Sequence, residues 1–374
     1  MTAVVALTMP RWGLTMEDGT LTEWLVKEGG AAEQGKDIVE VESTKLAGTV
    51  EAPASGILRR QIIAVGQTVP VGALLGVIAD AATAEDEIEA FARSFEPIEQ
   101  KEDDAAAAGP QRIDIDGAMI SYRRQGEGPS KLVMIHGFGG DASGWGFVQQ
   151  ALAVSQEVVA LDLPGHGNSS KDIRDGSFCG QAEVVAAFIA ALGLGRVHIV
   201  AHSMGGGVAL ALALSHPDQI MSLTLIAPAG LGPDINTSYL NAFIAAQKRR
   251  DVEEALRLLF HDETLVNRSL AEDVLKYKRM DGVADALSTI FAGFVKDGVQ
   301  RVSLRDQLAA ITVPLTILWG DQDRIIPVQH TDGLAGPARI LRIQGAGHMP
   351  HVEASDQVIA AVKDTIKQAA GGKP

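Results

Sequence analysis

Along residues 1–80 short apolar runs alternate with glycines, and the pattern repeats. A shift of 37 positions places Gly19 on Gly56, Leu25-Val26 on Ile62-Ile63, Gly29 on Gly66, Gly35 on Gly72, Ile38 on Leu75 and Val41 on Ile78. Each half reads as strand, glycine turn, strand, which predicts a small all-β module of two similar halves, a flattened barrel or sandwich. The halves join across Val41 to Ala47, so Lys45 falls between two strands, at the exposed tip of a hairpin.

From Ile113 the period changes. Leu132–Ile135, Val158–Leu161, Val197–Val200, Leu223–Ile226 and Leu315–Trp319 are continuous apolar runs of strand length, alternating with helical stretches such as Gly180–Leu192. Strands apolar on both faces with helices between them predict a mostly parallel α/β sheet. Residues 231–305 interrupt it with helical periodicities at Val252–Phe260 and Leu270–Tyr277. The expected organisation is multidomain: an all-β module at 1–80, a linker at 81–110 and an α/β domain at 111–370 with a helical insertion at about 231–305.

Composition sharpens the boundary. The 374 residues are 46% apolar and 21% charged, as in a soluble globular protein with a sizeable core. Their 47 acidic and 32 basic residues give a net charge of -15, and residues 81–108 alone carry 9 acidic and 2 basic. This Ala, Glu and Asp stretch buries little and repels itself, which predicts a flexible tether with an r.m.s. span of roughly 30 Å. A solvated helix around Ile88 and Phe91 is the alternative for its first half. The acidic balance argues against a nucleic-acid partner. Cys179 is the single cysteine, so no intrachain disulfide forms and a reducing compartment is expected. Met1–Met9 lacks the basic start of a signal peptide, and no apolar run approaches a bilayer span. A cytoplasmic protein without a membrane partner is expected.

The chemistry lies in the second domain. Val197–Val200 leads into Ala201-His202-Ser203-Met204-Gly205, and Gly206–Ser215 reads as an apolar helix. A serine on a sharp strand-to-helix turn, flanked by small residues, is a nucleophile elbow, with Ala201 standing where the motif carries its first glycine. The turn aims the hydroxyl at a helix N-terminus, where backbone N–H groups can stabilise an oxyanion. Asp323, in Trp319-Gly320-Asp321-Gln322-Asp323, follows one strand and His348 another, giving the chain order Ser, Asp, His.

Residues 111–370 thus resemble the α/β-hydrolase superfamily. The resemblance implies that Ser203 is the nucleophile, His348 the base and then acid, and Asp323 the group fixing the imidazole tautomer, with Asp321 and Asp234 as alternatives. Ile135–Gly140 resembles the oxyanion loop, so the backbone N–H of Phe138 would join that of Met204, and residues 231–305 would be the helical cap. Gly137, Gly139 and Ala142 with Asp162 also mimic a dinucleotide fingerprint, but the loop opens no clean helix. No metal is expected, because His348 and His351 have no accompanying ligand cluster. His136, His166, His202 and His216 read as structural or loop residues, and Cys179 as an ordinary thiol.

Residues 2–79 resemble the lipoyl domain of 2-oxo acid dehydrogenase complexes. Glu42-Ser43-Thr44-Lys45-Leu46 stands where that family carries Glu-Thr/Ser-Asp-Lys-Ala, and neither neighbour of Lys45 is the methionine of biotin carriers. The resemblance implies lipoate covalently attached to Lys45. Ordinary dihydrolipoamide acyltransferases carry His-x-x-x-Asp-Gly, whereas this chain has only His330-Thr331-Asp332-Gly333, with different spacing.

A lipoyl domain joined to an α/β-hydrolase domain resembles the acetyltransferase components of acetoin dehydrogenase complexes across nearly the whole chain. This implies an acyltransferase moving an acetyl group from lipoyl-lysine to coenzyme A. It also implies a thiamin-diphosphate-dependent dehydrogenase component that loads the acetyl group and a flavin dihydrolipoamide dehydrogenase that reoxidises the dithiol. Two other readings stay open: an esterase or thioesterase with an accessory lipoyl domain, and a non-catalytic acyl-carrier scaffold. A homo-oligomer is expected. For the anionic acceptor, Lys248, Arg249 and Arg250 with Lys276, Lys278 and Arg279 are the densest basic groups, and a solvated helix face beside Asp251, Glu253 and Glu254 is their alternative role.

Overall fold

In the computed structural model the described residues are 4–10, 18–42, 47–95, 109–334, 336 and 338–371. They belong to two compact units, Met1–Asp104 and Ala105–Pro374.

The first unit is built from two four-stranded antiparallel sheets. One runs Val5–Thr8, Leu74–Ala79, Gly56–Gln61, Ala31–Ala32, and the other Ala47–Glu51, Asp37–Glu42, Asp18–Trp24, Thr68–Pro70. The 37-residue shift carries Asp37–Glu42 onto Leu74–Ala79, so equivalent strands take equivalent places in opposite sheets. Leu21 and Leu58, Ile38 and Leu75, and Val41 and Ile78 are 37 apart, and all six are buried in the core between the sheets. The turns repeat as well: Gly29 and Gly66 have φ of 84° and 87°, and Gly35 and Gly72 have 76° and 83°. Only glycine takes that conformation without a Cβ penalty. Glu42 and Ala47 are paired residues of adjacent strands. Lys45 lies in the sequence between them, outside the described residues.

Part of the expected tether is a helix. Glu85–Ser94 packs Ile88, which is wholly buried, against Leu74 and Val77, with Phe91, Ala92 and Phe95 around it. Arg59 and Arg60 pair with Glu85 at 3.2 and 2.8 Å, and Arg59 also donates to the Asp80 and Thr83 carbonyls. This helix is the alternative the sequence offers around Ile88 and Phe91, except that it is packed by Ile88, Phe91, Ala92 and Phe95 rather than solvated. Glu85-Asp86-Glu87 place negative charge in the first turn, where the helix dipole favours it.

The second unit holds an eight-stranded sheet. Its order is Arg339–Ile343, Leu315–Gly320, Ile220–Ile226, Val197–His202, Lys131–Ile135, Glu157–Leu161, Ala118–Gln125 and Gln111–Ile115. The first six strands are parallel, and Ala118–Gln125 pairs antiparallel with both its neighbours. Alternate side chains serve opposite faces. Val133, Ile135, Ile199 and Leu225 pack with the helices Phe178–Ala191 and Met204–Ser215, whereas Leu132, Met134, Val200 and Leu318 pack with Gly146–Ala153 and Ser355–Ala369. The insertion predicted over 231–305 carries the helices Thr237–Ala245, Arg249–Arg257, Arg268–Lys278 and Val283–Phe294. Among the described residues, no helix is long and apolar enough to cross a membrane.

Candidate active site

Four parallel strands end at one edge of the sheet and deliver four loops there, the position where open α/β sheets place their ligands. At the end of Val197–His202, Ser203 has φ 53° and ψ -120°, a conformation that costs a non-glycine residue about 1–3 kcal/mol. The fold over-determines it. Ser203 N–H donates to Ile226 O at 2.9 Å, and its carbonyl accepts from Gly206 at 2.8 Å and Ala229 at 2.9 Å. Space explains the small neighbours: a Cβ on Gly205 would come within 2.4 Å of His136 O, and one on Gly206 within 2.6 Å of Pro228. Ala201 is wholly buried in the same crossing.

Ser203 Oγ donates to His348 Nε2 at 2.9 Å, and His348 Nδ1–H donates to Asp323 Oδ2 at 2.8 Å. The Asp323 side chain is fully enclosed. Its Oδ1 accepts from Ile325 N–H at 2.8 Å and Ile326 N–H at 3.0 Å, and its Oδ2 from Trp319 Nε1–H at 3.0 Å. Those donors fix the position of the carboxylate and aim Oδ2 at one nitrogen, which fixes the His348 tautomer with Nε2 facing Ser203 Oγ. The two competing acids are elsewhere: Asp321 accepts from Gly345 N–H at 2.8 Å, and Asp234 sits 3.5 Å from His330.

The backbone N–H groups of Phe138 and Met204 donate to no protein acceptor among the described residues. The loop before Phe138 is pinned by His136, whose Nδ1–H donates to Gly137 O at 2.7 Å while Nε2 accepts from Leu163 N–H at 3.0 Å. Asp162 accepts from Ala142 N–H and Asn168 N–H, both at 2.8 Å, so the carboxylate of the apparent dinucleotide fingerprint is consumed in holding loops.

His202, which the sequence reads as a structural or loop residue, and Glu353, which it does not single out, brace this arrangement. His202 Nε2–H donates to the His348 carbonyl at 2.8 Å, tying the serine turn to the loop of the base, and its ring lies 4.8 Å from that of His348 and 4.6 Å from that of His351. Burial pushes the His202 pKa well below its ordinary value and that of His351 down to about 3, so both rings are neutral beside the His348 imidazole. Glu353 joins the same loop to the cap, accepting from Gly347 N–H at 2.7 Å and from His261 N–H at 2.7 Å. His348 N–H itself donates to the cap carbonyl of Leu259 at 2.8 Å. A histidine beside the nucleophile was the available signal, whereas nothing local in sequence connects position 202 with 348.

Above Ser203 and His348 lies a cavity of about 240 Å³, walled on the cap side by Leu240, Phe243, Leu256, Leu270 and Val274 and on the sheet side by His136, Phe138, His202 and Met349.

Comparison with known proteins decides what kind of chain carries this site. The alpha/beta hydrolase fold family matches residues 131–355, and the biotin and lipoyl attachment family, described as biotin-requiring enzyme, matches residues 5–78. The dihydrolipoyllysine-residue acetyltransferase component of the acetoin cleaving system of Cupriavidus necator is 39% identical over 96% of both chains. Its namesake from Pseudomonas putida is 40% identical over 96% of this chain and 97% of its own. The chain belongs to this acetyltransferase-component family. A solved membrane phospholipase A, a bacterial virulence factor, is similar over 70% of this chain and 86% of its own, with 28% identity and a TM-score of 0.61.

For this acetyltransferase-component chain, the contacts of the cap's basic groups are mostly those of the solvated helix face that the sequence offers as the alternative to acceptor binding. None of Lys248, Arg249, Arg250, Lys276, Lys278 and Arg279 lines the cavity. Arg249 pairs with Glu253, Arg250 with Glu254 at 3.0 Å and Lys276 with Asp273 at 3.4 Å, the spacing of helix-surface ion pairs. Lys278 turns inward, donating to Phe243 O at 2.5 Å and Ile244 O at 3.2 Å, and so joins two cap helices.

Proposed function

We propose that this chain transfers an acetyl group from a lipoyl-lysine at Lys45 to coenzyme A, with Ser203, His348 and Asp323 as the catalytic residues. The hydrogen-bonded line from Ser203 through His348 to Asp323, opening into a cavity, is the observation that carries the reading. Family membership over 96% of the chain favours transfer over an accessory-domain hydrolase or a scaffold. Lys45, set between the paired residues Glu42 and Ala47, fits as the attachment point. Lipoate there would supply a long arm on which an acyl group travels as a thioester.

The chain's own residues then act in order. His348 Nε2 takes the Ser203 proton as Oγ attacks the thioester carbonyl carbon, and the Phe138 and Met204 N–H groups receive the negative oxygen. Collapse breaks the carbon–sulfur bond, the departing sulfur takes the proton from His348, and the acyl group remains on Ser203. The coenzyme A thiol gives its proton to His348, its sulfur attacks the acyl carbon, the acyl carbon–Oγ bond breaks, and Ser203 takes the proton back from His348. Asp323 keeps the imidazole oriented throughout and stabilises its charged form. In this reading the cytoplasmic complex also contains the thiamin-diphosphate-dependent dehydrogenase and the dihydrolipoamide dehydrogenase, with this chain as a homo-oligomer.

Ser203→Ala should abolish acetyl-coenzyme A formation from acetyl-dihydrolipoamide and leave the thermal melt unchanged, because a methyl fits the same turn. Wild-type turnover in that variant would mean direct transfer between thiols. Mass mapping of the natively produced chain should find lipoate on Lys45.

A further inference from the structure

An acetyl group has one methyl to bury, yet the cavity offers about 240 Å³, and a water occupies about 30 Å³ of the liquid. The cap supplies much of the lining. Thr237–Ala245 contributes Leu240 and Phe243, Arg249–Arg257 contributes Leu256, and Arg268–Lys278 contributes Leu270 and Val274, four residues apart on one helical face. Two of the polar groups at this wall are occupied, and the Tyr239 hydroxyl is a third polar group there. The Tyr277 hydroxyl donates to Gly165 O at 2.9 Å, and the Asp273 carboxylate pairs with Lys276. The clustered cap cations are absent from the lining, so a phosphate or carboxylate would find no counter-charge from them here.

We propose that the cap wall is a subsite for a saturated alkyl chain attached to the reacting thioester, extending the chemistry proposed above beyond acetyl-sized groups. The inference rests on that acyl-transfer reading. An alkyl chain can reach the wall from either side of the thioester: as the tail of an acyl group longer than acetyl, or as the aliphatic arm of the thiol. Both present the same chemistry, methylenes leaving water for apolar side chains.

The test uses the full chain and two substrate series. In one, acetyl, butyryl, hexanoyl and octanoyl thioesters of N-acetylcysteamine donate to coenzyme A; in the other, acetyl thioesters are made on alkyl thiols of increasing length. The expected result is a rise in kcat/KM of about fourfold per added methylene over the first four in one series, which also names the side that enters. Val274→Trp and Leu270→Trp fill the wall, so each should lower the ratio of long to short substrate at least tenfold. A flat or falling response in both series, or a rise that neither filling variant alters, overturns the subsite. Ser203→Ala separates the two claims: loss of turnover with every substrate upholds the acyl-transfer reading even where the series are flat, and retained turnover sinks that reading whatever the series show.

Discussion

The two units differ in how their sequences encode structure. The first is a repetition. Buried Leu21, Ile38 and Val41 return 37 residues later as Leu58, Leu75 and Ile78, and its glycine turns return with the same backbone angles. It contains no histidine. The second holds all nine histidines of the chain, and five of them form ring contacts in two sets, His136 with His166 and His202 with His348 and His351. Repetition gives a frame of two matched sheets, while a buried polar cluster gives a site that holds Ser203, His348 and Asp323 in line. Carriage needs the first property and covalent catalysis the second.

The comparison breaks most visibly at the carboxylate. Asp323→Asn keeps the shape but removes the charge that fixes the His348 tautomer, so kcat should fall by roughly 10⁴. Asp321→Asn, which alters only the contact to Gly345, should stay within about threefold. Parallel kinetics of both variants check the assignment, and an equal loss would return the acid role to doubt between them.

The frame can be broken without touching the site. Ile88→Ala empties the contact between the Glu85–Ser94 helix and the first unit, at a cost of about 2–5 kcal/mol to that unit. Denaturant unfolding followed through Trp24 should register the loss, while cleavage of a small neutral ester by the second unit is unchanged. An unaltered unfolding midpoint would mean that the helix adds nothing to the unit's stability.

Acid should separate the units more gently. His198 is lowered to about 4 and His351 to about 3, chiefly by burial, and His202 and His166 are lowered as well. A histidine whose folded pKa is depressed contributes stability that is complete above about 6.5 and is lost as pH falls toward the folded value. The second unit should therefore lose on the order of a few kcal/mol between about pH 6.5 and 4, with no histidine contribution from the first. Melts of the full chain across that range should show the higher-numbered unit moving alone. Parallel shifts of both transitions would contradict this.

Much of this was legible in the sequence because it is written in local pattern. Apolar runs marked the strands Leu132–Ile135 and Val197–Val200, the 37-residue period marked the two sheets, and the small residues around Ser203 marked the turn. The choice among Asp234, Asp321 and Asp323 was only partly legible: spacing favoured Asp323, but its donors from Trp319, Ile325 and Ile326 exist only in three dimensions. The bond from His202 to the His348 carbonyl joins residues 146 positions apart, and no local pattern encodes it. The Glu85–Ser94 helix was legible only as the alternative to a tether, because its acidic face dominated the composition, while its packing rests on a few apolar residues.

The central claim is that acyl groups pass through Ser203, and trapping that intermediate tests it most directly. The full chain is mixed with acetyl-dihydrolipoamide in the absence of coenzyme A, quenched over a time course and mapped by peptide mass. The account predicts an acetyl group on the Ser203 peptide, absent in Ser203→Ala, that disappears on addition of coenzyme A at the rate acetyl-coenzyme A forms. Formation of acetyl-coenzyme A at the full rate with Ser203 never acetylated would contradict it.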